Sequence, residues 1–160
     1  MKSLFTLVSI FLLASCSTVQ NYSNNQLNQD YYKNKVLVFE LHPSSQLIIA
    51  KSGPSAGIFM QPNTKETFKE AVIELANETK LNLKTNDTEE SNVVVKIKDI
   101  NWIFKLSSAE MITEINFITD NTEYPVNGNF KNFSGGSEKN NLKKSFKNAI
   151  YNFLIELQKK

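Results

Sequence analysis

Between Asn92 and Phe133 three strand-length segments follow one another with only short turns between them, and this stretch constrains the fold more than any other. In NVVVKIKDINWIF (92–104), Val93, Val95 and Ile97 share one parity, whereas Ile100, Trp102 and Phe104 share the other. Strand side chains alternate between faces with a period of two, so one buried face requires an extra residue near Lys98-Asp99, and a β-bulge is predicted there. In EMITEINFIT (110–119), Met111, Thr113, Ile115 and Phe117 are the core-facing set. Asp120-Asn121 supplies a tight turn into 122–133, where Tyr124, Val126 and Phe130 are in register. Pro125 has no N–H to give a ladder and marks an edge or a strand start. The three segments read as an antiparallel meander.

Two amphipathic helices flank it. Pro62 precedes Asn63, whose side chain can cap free helix amides, with Glu66 three residues on. Phe68, Ala71, Val72, Leu75, Ala76 and Thr79 then recur at helical spacing, while Lys65, Lys69, Glu70, Glu74 and Glu78 fall mainly on other faces. After the break Ser134-Gly135-Gly136-Ser137, a final helix capped near Ser137 carries the stripe Leu142, Phe146, Ala149, Ile150, Phe153, Leu154 and Leu157. Lys159-Lys160 suits the negative end of its dipole. Lys35 to Leu41 is the first strand, Gln46 to Ala50 a short second one, and Leu81 and Leu83 a short extended piece. Gly53, Pro54, Gly57 and Pro62 make 51–62 a loop. The expected fold class is α+β, order β-α-β-β-β-α: a two-layer sandwich with two helices packed on one face of a mostly antiparallel mixed sheet.

At the start of the chain, Lys2 precedes an apolar run from Leu4 to Leu13. That run is far short of the roughly 20 residues of a spanning helix and has the layout of a secretory signal. Leu13, Ala14 and Ser15 then lead directly into Cys16, the sole cysteine. This pattern resembles the lipobox of bacterial lipoproteins. The resemblance implies that the Cys16 thiol receives a diacylglyceryl group, that the chain is cut before Cys16, and that the new amino terminus is often acylated. Several acyl chains hold a protein firmly, since each buried CH2 contributes about 0.8 kcal/mol. A plain secreted protein with a free thiol is the competing reading, although an odd cysteine is unexpected after export. In the enterobacterial sorting scheme Ser17, not being aspartate, is compatible with the outer membrane, so the expected location is that membrane, lipid-anchored and periplasm-facing.

The expected organisation is a signal peptide over 1–15, a lipidated Cys16 with a flexible tether over 16–34, and a single domain over 35–160. The segment 17–34 is Ser, Asn, Gln and Tyr with scattered apolar residues and no periodicity. At about 5 to 6 Å times the square root of its length it reaches a couple of nanometres. Tyr22, Tyr31 and Tyr32 either meet lipid headgroups or begin the fold. The element order behind a lipobox resembles small periplasmic lipoproteins of the YajG type and, more loosely, the lipopolysaccharide-assembly lipoprotein LptE. That resemblance implies the two-layer sandwich, with the insertion 42–61 as a departure, and carries little about activity.

Composition excludes some partners. A net charge of +2, or +1 once Lys2 is removed, with no arginine in the chain, is not the footprint of a nucleic-acid binder. His42 is the lone histidine and precedes a proline at a strand end, too little for a metal site or a catalytic triad. Asp87, Glu89 and Glu90 lack calcium-loop spacing, and Gly53-Pro54-Ser55-Ala56-Gly57 lacks the GK[ST] of a phosphate loop. No catalytic residue, metal or cofactor is expected. Lys139, Lys143, Lys144 and Lys147 are either the wet side of the last helix or a contact for anionic headgroups or a partner. Trp102, Ile103 and Phe104 are core or a binding platform.

Ile58, Phe59 and Met60 are the candidate partner contact: three bulky apolar residues in a Gly/Pro loop either tuck beneath the first helix or are offered to a lipid or protein. The expected function is a membrane-anchored, non-enzymatic binding or accessory/assembly module for an envelope protein or lipid. An envelope hydrolase using carboxylates and a structural cell-surface lipoprotein are the alternatives.

Overall fold

A computed structural model describes residues 20–54, 58–86, 90–133 and 136–159. The lipobox residues Leu13, Ala14, Ser15 and Cys16 lie outside them, as do Asp87, Glu89 and Ser55 to Gly57. The elements are α1 (Gln29–Tyr32), β1 (Leu37–Leu41), β2 (Ala50–Ser52), α2 (Thr64–Thr79), β3 (Leu83–Thr85), β4 (Val93–Lys105), β5 (Ser108–Thr119), β6 (Thr122–Asn132) and α3 (Glu138–Leu157). The six strands make one mixed sheet in the order β3-β1-β4-β5-β6, and β2 lies against the far half of β4. β1 runs parallel to both β3 and β4, while β4, β5 and β6 form the long antiparallel meander. The architecture is the expected two-layer α+β sandwich, with α2 and α3 packed side by side over one face.

The predicted bulge is present. The β4–β5 register shifts between Ile97 and Asp99, so Val93, Val95, Ile97, Ile100 and Trp102 are all buried despite their change of parity. Asp120 and Asn121 both take positive φ, 49° and 57°, the conformation a two-residue hairpin needs and one that Asp and Asn tolerate. β6 is an edge strand, which accommodates Pro125. Gly128 sits where β6 passes beneath α3: a Cβ there would lie 2.1 Å from the Ser145 carbonyl oxygen, so glycine permits the close approach. Asn63 and Ser137 cap α2 and α3, accepting from the amides of Glu66 and Asn140.

The second strand is displaced from the expected Gln46–Ala50 to Ala50–Ser52. Residues just before it are held by other groups: Gln46 N donates to Ile97 O, and Ile49 N donates to the Gln61 side chain. The Leu47 carbonyl accepts from Thr64 Oγ1 at 2.6 Å.

The larger correction concerns the tether. Residues 20–34 do not hang free but run as a strap along α3. The Gln20 side chain donates to Lys144 O, Gln26 N to Tyr151 Oη, and Asn28 N to the Gln158 side chain. Tyr22 stacks on Tyr151 with ring centroids 4.4 Å apart, and Leu27 and Tyr32 are buried in the core cluster. The physical reason lies in the last turn of α3, whose carbonyls have acceptor capacity to spare, Leu154 O included although the Gln158 N–H already donates to it. Tyr31 Oη donates to Leu157 O at 2.9 Å, and Tyr32 Oη donates to Leu154 O. The tyrosines thus serve the helix terminus that Lys159 was expected to serve; Lys159 pairs with Glu156 instead.

Burial pushes the Tyr22 hydroxyl up to about 12, against the opposing hydrogen bond from Asn148, and burial also raises Tyr32. Both ionise less readily folded than unfolded, so their contribution is whole below pH 10, the ordinary tyrosine value, and disappears as pH rises toward 12. Thermal melts should therefore lose stability across that window. Tyr22→Phe together with Tyr32→Phe should make the fall shallower, and an unchanged slope would mean the strap does not sense ionisation.

Candidate functional site

The insertion between β1 and α2 is stitched down from its start. The His42 backbone N–H donates to Val95 O, and its exposed imidazole Nδ1 is used within its own turn, 2.8 Å from Ser44 Oγ and 3.1 Å from Ser44 N. Ser45 Oγ donates to Val95 O and accepts from Ile97 N. Gln61 closes the far side, its side-chain amide donating to Leu47 O. The segment carrying the apolar triplet is thus held at both ends by β4 and by the start of α2.

Within the triplet the structure separates the two readings residue by residue. Phe59 is tucked: its ring lies 5.9 Å from Trp102, which is buried and in turn lies 4.5 Å from Phe104. Trp102 is therefore core, although its indole Nε1 has no hydrogen-bond partner among the described residues. Lys51 Nζ stands 5.5 Å from the Phe59 ring and 5.4 Å from the Phe104 ring. Ile58 and Met60, in contrast, are 90% and 73% exposed. Met60 N donates to a Glu138 carboxylate oxygen, which places this loop at the amino-terminal end of α3.

Two further large apolar side chains belong to the same end of the domain. Leu106 occupies the turn between β4 and β5 and is fully exposed, and Phe133, just past the end of β6, is 60% exposed. Lys105 pairs with Ser108 and Ala109 with Asn132, so Leu106 and Phe133 leave adjacent strand ends. Sequence reasoning did not group them with the triplet. A usable signal was present: Leu106 is a bulky apolar residue in a turn, a position usually filled by Gly, Asn or Asp.

The lysines of the last helix are not a free basic patch. Lys139 meets Glu70 at 2.6 Å, Lys143 meets Glu74 at 2.7 Å, and Lys147 meets both Glu74 and Glu78 at 2.8 and 2.6 Å. The pairs step four residues at a time along α2 and α3 in the same direction, so the helices run parallel with matched charge rows. Lys147 is only 1% exposed, which corrects its placement on a wet face. Lys144 lies 4.4 Å above the Phe130 ring.

Other chemistry is sparse. Among the described residues no three His, Cys, Asp or Glu groups converge as metal ligands. A cleft of about 170 Å³ between the ends of β1 and β3 and the first turns of α2, lined by Glu40, Lys65 and Lys69 among others, is smaller than the roughly 300 to 1,000 Å³ of small-molecule sites, whereas one of about 380 Å³ at the start of β6, lined by Glu123, Tyr124, Glu156 and Lys159 among others, falls inside that range.

No family model matches the chain, and no curated protein matches it. A solved structure described as that of an uncharacterized protein is similar over 78% of this chain and 89% of its own, at 6% identity and a TM-score of 0.41.

Proposed function

We propose that the protein is a lipid-anchored lipoprotein of the bacterial envelope whose domain acts by binding, as an accessory or assembly module for an envelope protein or lipid, on the periplasmic face of the outer membrane. The anchoring half of this reading is supported by the lipobox ending in Cys16. The binding half rests on one observation above all. Ile58 and Met60 flank a phenylalanine seated on Trp102, so the domain presents apolar side chains from a held loop instead of burying them. Exposed apolar groups gathered at one end of a fold are a contact surface more often than a packing accident.

The test combines the anchor and the surface. Mass spectrometry of native material should find Cys16 acylated and amino-terminal; a bare thiol or an attached leader would sink the anchoring half. Cross-linked envelopes should yield a protein or lipid partner whose recovery falls at least severalfold for the pair Ile58→Ser and Met60→Ser, with a melting temperature unchanged within a degree or two, since exposed substitutions cost about 0.5 kcal/mol or less. Phe59→Ser should lower the melting temperature, because that ring packs on Trp102. Undiminished recovery from the Ile58 and Met60 variant would remove the binding role of this loop.

A further inference from the structure

The strap fixes where the anchored end of the chain leaves the domain. Gln20 meets Lys144, Tyr22 meets Asn148, Gln26 meets Tyr151, and Asn28 meets Gln158. From 20 to 28 the strap thus climbs α3 toward its carboxyl end, so Gln20 is the strap residue that lies nearest the amino-terminal end of α3. That is the end carrying Ile58, Met60, Leu106 and Phe133. Lys144 is about 9 Å from the first residue of α3 at 1.5 Å per residue. The four residues from Cys16 to Gln20 span at most about 14 Å. The lipidated sulfur can therefore reach the plane of the exposed apolar side chains, whereas the opposite end of α3, about 20 Å beyond Lys144, is out of its range.

We propose that this end of the domain, led by Leu106, Ile58, Met60 and Phe133, seats in the headgroup zone of the same bilayer that holds the acyl chains of Cys16. The inference rests on the anchoring reading above and deepens it by naming the lipid surface as what the apolar end contacts. Two signals then act together: acyl chains supply attachment, and the side chains supply orientation. Short acyl-to-domain spacing favours this strongly, because a patch tied to the membrane by about 14 Å of chain at most has a high effective concentration there. The charges at this end are mixed. Lys51, Lys105, Lys131 and Lys139 stand among Glu66, Glu110 and Glu138; Lys105 and Lys139 are bonded to Glu110 and Glu70, and Lys131 lies over the Phe133 ring at 5.0 Å and beside Glu110. Seating is thus driven by apolar insertion more than by attraction to anionic lipid, and it should survive high salt.

The single thiol makes the test direct. Mature protein is coupled through Cys16 to a maleimide-bearing lipid in vesicles of phosphatidylethanolamine and phosphatidylglycerol with brominated acyl chains, which quench nearby tryptophan. Tryptophan is introduced as Leu106→Trp at the apolar end or Lys159→Trp at the far end, and the Trp102 signal of the unaltered chain is subtracted. The expected result is quenching severalfold stronger at position 106 than at 159, retained at high salt and reduced by Ile58→Ser with Met60→Ser. Equal quenching at the two positions would overturn the proposal, as would quenching at 106 that high salt abolishes. A photo-cross-linker at Met60 in cells that captures protein and no lipid would overturn it too, by giving the surface to a protein partner or a second copy. Acylation of native Cys16 is read separately by mass spectrometry. A lipidated Cys16 with equal quenching sinks only the seated end, and a bare Cys16 sinks the reading beneath it.

Discussion

Phe153→Ala should destabilise the domain by about 3 to 5 kcal/mol, the range for removing a large aromatic side chain from a packed core. Phe153 is fully buried on α3 at the point where helix meets sheet. Its ring stacks on Phe117 of β5 with centroids 4.5 Å apart and planes 12° from parallel. Phe39 of β1 and Tyr124 of β6 meet it edge-on at 6.1 and 5.5 Å. One side chain thus ties the last helix to the β5–β6 hairpin and to β1, some eighty residues earlier in the chain, and removing it leaves a cavity whose walls belong to a sheet that cannot easily collapse. Aromatic pairs add about 0.5 to 1.5 kcal/mol beyond area burial, so the cost should sit high in the range. Urea unfolding measures it: the midpoint should drop with little change in slope. The exposed Ile73→Ala on α2 is the control and should shift stability by no more than about 0.5 kcal/mol. A loss below about 1 kcal/mol at Phe153 would contradict the packing of α3 described above.

That core was largely legible in the sequence, because period and parity are local. The stripe on α3, the parity change in β4 and the odd-numbered set on β5 each follow from spacing alone, and each side chain they nominate is buried except Phe104, which is half-buried at the end of β4. What could not be read locally was any contact made across a long separation. The strap is the clearest case. Apart from the single turn of α1, its residues have no periodicity because it is held not by a ladder but by single hydrogen bonds to α3, more than a hundred residues away. Asn, Gln and Ser look like linker residues in sequence, yet here their amides and carbonyls meet a helix and its end. The short β2 shifted for a related reason, since Gln61 and Thr64 compete for the backbone groups just before it. Of the candidate surface, the triplet at 58–60 was nominated by its composition. Its division into one seated ring and two exposed side chains depends on Trp102, and its neighbours Leu106 and Phe133 arrive only through strand register.

The lysines of α3 show how helical spacing can place a charge on the wrong side. Lys147 lies one residue after Phe146 and would face water on an isolated helix, but α2 packs alongside and Tyr22 of the strap covers the site, its ring 5.8 Å from Lys147 Nζ. The ammonium is left with Glu74 and Glu78 as its partners, and Glu78 also accepts the Tyr22 backbone N–H. Burial by itself would raise the Glu74 carboxyl, but hydrogen bonds from Lys143 and Lys147 outweigh it and hold the group below the ordinary carboxylate value of 4.5. A lowered folded-state value means this contribution is complete above that pH and is lost as pH falls below it through the folded value, so the helix pair should loosen in acid.

Substituting Glu74→Gln and Glu78→Gln together removes both counter-charges while Lys147 stays buried, and breaking a buried pair in this way costs about 3 to 5 kcal/mol. The amide oxygens still accept hydrogen bonds, which places the expected loss near 3 kcal/mol. Adding Lys147→Met to that double variant removes the uncompensated charge and keeps much of the side-chain volume, so most of the lost stability should return. Lys147→Met alone should cost less than the carboxylate pair, because Glu74 retains Lys143 and both carboxylates reach solvent. Denaturation midpoints of the three variants decide the matter. If the triple variant is no more stable than the double, the penalty came from lost helix packing and not from a stranded ammonium. The triple variant lacks two carboxylates and one ammonium, which leaves Lys143 without Glu74, yet its acid dependence should be weaker than that of the unaltered chain, since the Glu74 carboxyl responsible for it is gone.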